Sequence, residues 1–551
     1  MTGRLLSRPP SGVLLAVGLI LATGCAIAAQ DLDAGTLPLQ GQLEINGGSF
    51  TDFRPSVDTF DLASDAGLRV TEFPAIDIDW VTDGERLVPT IRTPVGTGHP
   101  LWMFIAEPGR LGPEADDGSR PVAFPFALRH ANHGCVHYGI IEGALPGRHA
   151  EPAALDLHWR INAETCAYLK FDANGTLKAS WTAGPVDAAD DVLARDQALR
   201  QRAMPTRPLG ALTERFPAFD AGAFAPPADA DVTAYGLVVD GVHYLGDCLA
   251  HDGEKLACEH LPLPSYSTAK SLFAGLVYLR MLKLWPELAT TAVTDLVPEC
   301  RLADRRWRDV RLEHLMNMST GLFTDPAHQA DEASATMVTF FDAISNAERI
   351  EVACTAWPRA EAPGVTPVYH TSDHYLLGVA LQRFLRQQRG DGADIHRDIL
   401  LGEILAGVDA GPLTGFTERT KDTDAQPLTG YGLAFHVDDV ARIGAALPDL
   451  ARNGTLFPED TYNELFFRNI EPSFVWPHGG GERYRHGWWA YDFGPALGCS
   501  TPSWVPFMAG YGGITWAFLP NQMVYYHFTD NGFTPWKQAV LQAHKARKLC
   551  D

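Results

Sequence analysis

Ser267 and Lys270 stand three residues apart at the head of an apolar helical stripe, and such a pair can carry out acyl transfer. A serine hydroxyl is a poor nucleophile until a base removes its proton. A lysine stripped of water can keep its amine neutral near ordinary pH and act as that base. A spacing of three places both side chains on one face of a helix, one turn apart. The plainer alternative is that Ser267 caps a helix and Lys270 is a solvated charge.

The elements around the pair are those such chemistry needs. Pro262 and Pro264 hold the approach out of helix, and Leu272, Phe273, Leu276 and Leu279 repeat with the helical period. Pro286 is the latest point at which that helix can end. Ser267 therefore falls at or just before a first helical turn, where unpaired N–H groups and the positive dipole end can hold an oxyanion. Further on, Pro363-Gly364 makes a turn and a short extended piece delivers Tyr369, with a helix starting around Ser372. Near the C-terminus, Gly510-Tyr511-Gly512-Gly513-Ile514 opens an apolar strand that a second strand follows after Pro520-Asn521.

At 551 residues the chain exceeds one ordinary core. Residues 1–30 read as a secretory signal, with Arg4 and Arg8 before the apolar run Val13–Ala22. Ala26-Ile27-Ala28 fits ordinary cleavage and predicts a periplasmic or secreted protein. Ala22-Thr23-Gly24-Cys25 loosely resembles a lipoprotein box, with a lipid anchor at Cys25 as the alternative. No later stretch is long enough to span a membrane. Cysteines 135, 166, 248, 258, 300, 354, 499 and 550 remain, an even number that favours disulfides between sequence neighbours, including Cys248–Cys258 and Cys499–Cys550. A formal charge of −23 argues against nucleic acid and anionic lipid, so a small substrate is expected.

Residues 31–185 read as a separate β-rich domain, with runs at Gly67–Val81, Leu101–Ala106, Val122–Leu128, Cys135–Ile141, Leu155–Ile161 and Tyr168–Trp181, and a turn at Asp172-Ala173-Asn174-Gly175. His130, His133 and His137 lie close in sequence, but on a strand only the last two share a face, so satisfied histidines are preferred to a metal site. Residues 186–231 join the domains through a helix, Ala188–Arg202, and a Pro- and Ala-rich linker, Pro217–Ala230, over the surface. Residues 232–551 open with the hairpin Tyr235–Leu245, turning at Asp240-Gly241.

Taken in order, these residues make the stretch from Ala234 to the end resemble the serine β-lactamase-like hydrolases: class C β-lactamases, D-alanyl-D-alanine carboxypeptidases and related esterases and amide hydrolases. Ser267-Thr268-Ala269-Lys270 resembles the family's first box. Leu312–Leu322 resembles the helix and turn that follow, Tyr369-His370-Thr371 stands at Tyr-x-Asn, and Gly432-Leu433 with Asp439-Val440-Ala441-Arg442 matches a further shared segment. Tyr511-Gly512-Gly513 is placed at the third box. The resemblance implies an α/β (α+β) fold with an antiparallel sheet flanked by helices and an all-helical region. It also implies Ser267 as nucleophile, Lys270 as base and Tyr369 as proton relay with a depressed pKa. The N–H groups of Ser267 and Ile514 would form the oxyanion hole, and Thr371, Tyr511, Gly512 and Gly513 would bind substrate, with no metal or other cofactor.

Two departures redirect the expected activity. Thr371 replaces the usual asparagine amide, and Tyr511-Gly512 replaces a cation and hydroxyl that hold a carboxylate. Hydrolysis of a carboxylic ester or amide is therefore preferred to cell-wall D-amino-acid peptidase or β-lactamase action, and a catalytically inactive binding protein is the third reading. His370 and His486 are further residues that would line such a cleft, unless they are structural.

Overall fold

The computed structural model describes residues 39–146, 152–227, 230–302, 305–477 and 480–550. The signal segment 1–30 and Cys25 lie outside them. Leu39–Asp551 forms one compact unit.

Alternating burial along Gln40–Ile45 and Ile76–Asp83 marks strands with one apolar face. They belong to an 11-stranded antiparallel sheet. The sheet closes on itself, because Arg120–His130, near one end of the strand order, also pairs through Arg120–Arg129 with Val136–Leu145, the strand at the other end. Closure removes free edges. The interior is filled by aromatic side chains, among them Trp80, Trp102, Phe104, Phe171 and Trp181. The turn expected at Asp172–Gly175 is absent. Leu169–Ala183 runs straight through it as one strand, because Asn174 pairs with Asp52 on one side and Arg160 on the other. Gly175 is needed there for a packing reason: a Cβ would lie 2.8 Å from the Trp159 indole nitrogen.

A second, nine-stranded sheet carries the remainder. From one edge it runs Thr206–Pro208, Val242–Leu245, Val232–Val239, Val524–Thr529, Ile514–Phe518, Trp504–Gly510, Trp488–Asp492, Arg483–Arg485 and Phe474–Val475. The Asp240-Gly241 hairpin forms as expected, with both residues at positive φ, as such a turn requires. One face packs on the C-terminal helix Trp536–Ala546. The other packs on the Ser267 helix and on Val437–Arg452, with the helices Leu312–Met316, Ala335–Asp342, Asn346–Thr355 and Thr371–Arg389 beyond.

Two boundaries read differently in three dimensions. The β-rich region is not a separate body: the outer face of its sheet gives Ile105, Ala127, Val136, Tyr138 and Ala163 to the same core as the Ser267 helix. The stretch 217–230 is not merely a surface linker either. Phe219 and Phe224 are buried against the second sheet and the short helix Ala221–Phe224 is capped by Asp220. All four sequence-neighbour disulfides are present: Cys135–Cys166, Cys248–Cys258, Cys300–Cys354 and Cys499–Cys550. Among the described residues, no helix is long and apolar enough to cross a membrane.

Candidate active site

The approach to Ser267 is held on both sides. Leu263–Pro264 pairs with Ala434–Phe435, Ser265 N–H donates to the Leu433 carbonyl, and Ser265 Oγ accepts from Leu433 N–H. Tyr266 then adopts a left-handed backbone, φ 39°, which is costly for a bulky residue and occurs where surrounding structure enforces it. The enforcement comes from the barrel as well: Tyr138 donates its hydroxyl to the Pro262 carbonyl at 2.8 Å, and Tyr266 reaches the Thr165 carbonyl at 3.4 Å. Ser267 emerges at the head of the helix. The expected α-helical start is in fact a π-helical segment, Lys270–Gly275, before Leu276–Leu284 continues as α-helix. Such π turns recur at functional sites. Gly275 is required by a close approach, since a Cβ would sit 2.7 Å from the His486 carbonyl.

Lys270 is buried, at 2% exposure, and its amine makes three contacts. Nζ lies 2.8 Å from Ser267 Oγ, 2.8 Å from Thr371 Oγ1 and 3.3 Å from the Gly430 carbonyl. Desolvation lowers its pKa to about 8, against an opposing pull from the Glu332 charge. The Tyr369 ring lies 4.9 Å from the same amine, and its hydroxyl is near enough to Ser267 for that residue to lower its pKa.

The depressed pKa expected for Tyr369 is overturned. Burial pushes it up, the Glu332 charge pushes in the same direction, and Ser267 only partly opposes them. The cation beside the ring is Lys270.

Thr371 also departs from expectation. It is 2% exposed and faces inward, contacting Lys270 on one side and Glu332 on the other, so it does not face a substrate cleft. Glu332 accepts from both the hydroxyl and the backbone N–H of Thr371, the latter at 2.8 Å. His370 does not line the cleft either. It is buried, stacked on Trp357 at 4.5 Å and paired with Asp331 at 3.0 Å; despite burial, Asp331 and Asp373 raise its pKa to about 9. His486, mostly buried, lies 3.4 Å from Glu464.

The residue beside the serine turn is Gly510, just ahead of the expected Tyr511-Gly512-Gly513. A Cβ on Gly510, the last residue of Trp504–Gly510, would lie 3.0 Å from the Ser265 carbonyl and 3.3 Å from Tyr266 Cβ, beside the serine turn. Gly512 and Gly513 instead lie against Thr529 and Phe533, and Ile514 pairs with Gly510 one strand further in. Tyr511 follows Gly510 directly, half-exposed, with its ring 5.9 Å from that of Tyr266.

Sequence reasoning missed Glu332, whose loop has no signature, and an aromatic wall beside Tyr369. Trp476 and Trp489 have ring centres 6.2 and 6.3 Å from the Tyr369 ring. The barrel histidines are bonded within the protein: His130 to Tyr168, His133 to the Phe341 carbonyl and His137 to the Leu169 carbonyl. Cys135, His137 and Cys166 come together, but the two sulfurs are joined to each other as a disulfide and so are not thiolate ligands.

No curated protein matches the chain. Among solved structures it is similar to a protein described as a 6-aminohexanoate-dimer hydrolase from Bacillus anthracis (17% identity, 59% of this chain and 81% of that one, TM-score 0.43). It is also similar to a class C β-lactamase mutant (15%, 66% and 99%, 0.40) and to EstCE1, a hydrolase with promiscuous acyltransferase activity (14%, 64% and 99%, 0.44). The sequence itself matches the beta-lactamase family over residues 251–391, which include Ser267, Lys270, Tyr369 and Thr371. Residues 251–391 are thus the part of the chain that is similar to the beta-lactamase family.

Proposed function

We propose that this protein is an exported serine hydrolase that cleaves a carboxylic ester or amide through an acyl-enzyme on Ser267. One observation carries the reading: a buried amine with a pKa near 8 lies 2.8 Å from a serine hydroxyl at the head of a helix.

In acylation, neutral Lys270 takes the Ser267 proton as Oγ bonds to the acyl carbon. The tetrahedral oxyanion is held by backbone N–H groups, each contributing about 3 kcal/mol to the transition state. Ser267 N–H is one of them. The second is Tyr511 N–H, in place of Ile514, because Gly510 is the residue that abuts the serine turn. Tyr369, kept as a phenol by its raised pKa, donates its proton to the departing group and recovers it through Lys270. Water then attacks the acyl carbon along the reverse path. The lowered pKa of Lys270 makes the amine increasingly competent as pH rises through about 8. The charge acting on Lys270 is the negative Glu332, which favours neutral acyl groups over carboxylates. Four disulfides suit an oxidising compartment and support export.

Intact-protein mass spectrometry after exposure to activated esters and to β-lactams tests this. A mass increase of one acyl group on the wild type, from esters and not from β-lactams, and none on Ser267→Ala is expected. Adducts that persist on Ser267→Ala contradict the assignment.

A further inference from the structure

The three contacts of the Lys270 amine have a polarity that something must set. A neutral amine has two N–H bonds and one lone pair, and only the lone pair can take a proton. The Gly430 carbonyl can only accept, so it receives one N–H. Thr371 Oγ1 can donate or accept, and if it donated to Lys270 it would occupy the lone pair that Ser267 needs. Glu332 removes that option. Its carboxylate offers only acceptors, and it takes the Thr371 hydroxyl proton. It is held there by a second bond from Thr371 N–H, at the N-terminus of Thr371–Arg389, where the helix dipole favours an anion.

We infer that Glu332 is a positioning residue that, through Thr371, turns both N–H bonds of neutral Lys270 away from Ser267 and leaves the lone pair aimed at the serine proton. The inference rests on the hydrolase reading of Ser267 and Lys270. During acylation the Ser267 O–H bond breaks, its electron pair forms the new bond to the acyl carbon, and the proton completes an ammonium on Lys270. Glu332 then acts as a countercharge to that ammonium.

The other ionisable groups near the amine leave this role to Glu332. Tyr369 faces it with its ring and stays protonated, and His374, on the same helix as Thr371, is buried without a hydrogen-bond partner and held neutral by burial and the Lys270 charge. Asp331, His370 and Asp373 form their own buried ion cluster behind Thr371, and Tyr431 follows Gly430 with its hydroxyl bonded to Arg349.

The test follows fluorophosphonate labelling of Ser267 against pH, together with titration of ε-carbon-13 lysine resonances. In Glu332→Gln the amide donates where the carboxylate accepted, so the Thr371 proton swings onto Lys270. The plateau labelling rate is expected to fall about 10- to 100-fold. The acid limb moves to lower pH, because the negative charge that favoured the ammonium is gone. Glu332→Asp recovers part of the rate. In a Thr371→Val background, Glu332→Gln causes no further fall, since its effect passes through that hydroxyl. An unchanged rate and profile in Glu332→Gln, or an equal fall in both backgrounds, overturns the inference. Should the wild type fail to label, the hydrolase reading fails, yet the lysine titration still decides. A Lys270 midpoint that drops in Glu332→Gln supports the coupling, and an unmoved one overturns it.

Discussion

Two buried lysines, Lys170 in the seam between barrel and second sheet and Lys270 in the candidate active site, show how one residue type is put to opposite uses. Burial works against the charge of both. At Lys170 the carboxylates of Asp530, at 2.9 Å, and Asp231, at 3.1 Å, outweigh it and raise the pKa. At Lys270 the direct partners are two hydroxyls and a carbonyl, the one carboxylate stands behind Thr371, and the pKa falls to about 8. The seam keeps its lysine charged and silent; the site keeps its lysine close to losing a proton. The seam continues in Arg129–Glu418, His436–Glu107 and Arg349 to Asn132, all buried pairs between barrel and hydrolase fold.

The sharpest way to break this comparison is to remove each amine in turn. Lys270→Met is expected to lower acylation by roughly 10³-fold or more while the protein stays folded, because the desolvated cation is gone along with the base. Lys170→Met should do the reverse. It unpairs Asp530, whose pKa burial already raises to about 7, so the carboxyl takes up a proton at a cost of about 1–3 kcal/mol, and turnover per folded molecule stays near wild type. Denaturant melts and active-site titration of both variants separate the two losses.

A second comparison sets Tyr369, beside Lys270, against Tyr138, which holds the approach to the serine at Pro262. Tyr369→Phe removes the proton donor to the leaving group and should reduce turnover by about 10²-fold with little change in stability. Tyr138→Phe removes the barrel's hydrogen bond to Pro262, costs about 1 kcal/mol of stability and slows acylation severalfold at most. Steady-state kinetics beside thermal melts read both.

The smallest effect belongs to the ion cluster behind the site. The folded-state pKa of His370 is raised from 6.5 to about 9, so its contribution to stability is complete below about pH 6.5 and is lost as pH rises through 9. The melting difference between wild type and His370→Asn should therefore be greatest near pH 6 and shrink steadily towards pH 9.5.

How much of this was legible in sequence follows contact range. The spacing of Ser267 and Lys270 is local, and the prolines ahead of it and the apolar stripe behind it carry their own physical meaning. Tyr369 is singled out by the resemblance of Tyr369-His370-Thr371 to the family's Tyr-x-Asn, its turn-and-helix context only placing it on an extended stretch. Glu332 is not, because its contact with Thr371 joins a loop to a helix 39 residues on and has no local pattern. Gly510-Tyr511-Gly512-Gly513 offers several glycines, and only packing against Ser265 shows which one abuts the serine turn. The Asn174-Gly175 turn signal lost to strand partners on both sides, and barrel closure depends on a register between strands that no local spacing encodes.

The most direct test of the central claim, that an uncharged Lys270 deprotonates Ser267, is the pH dependence of covalent labelling at Ser267. The account predicts a rate that climbs with pH to a plateau through a midpoint near 8, and whose climb disappears in Lys270→Met. A rate that is level from pH 6 to pH 10, or a climb that survives the loss of Lys270, would contradict it.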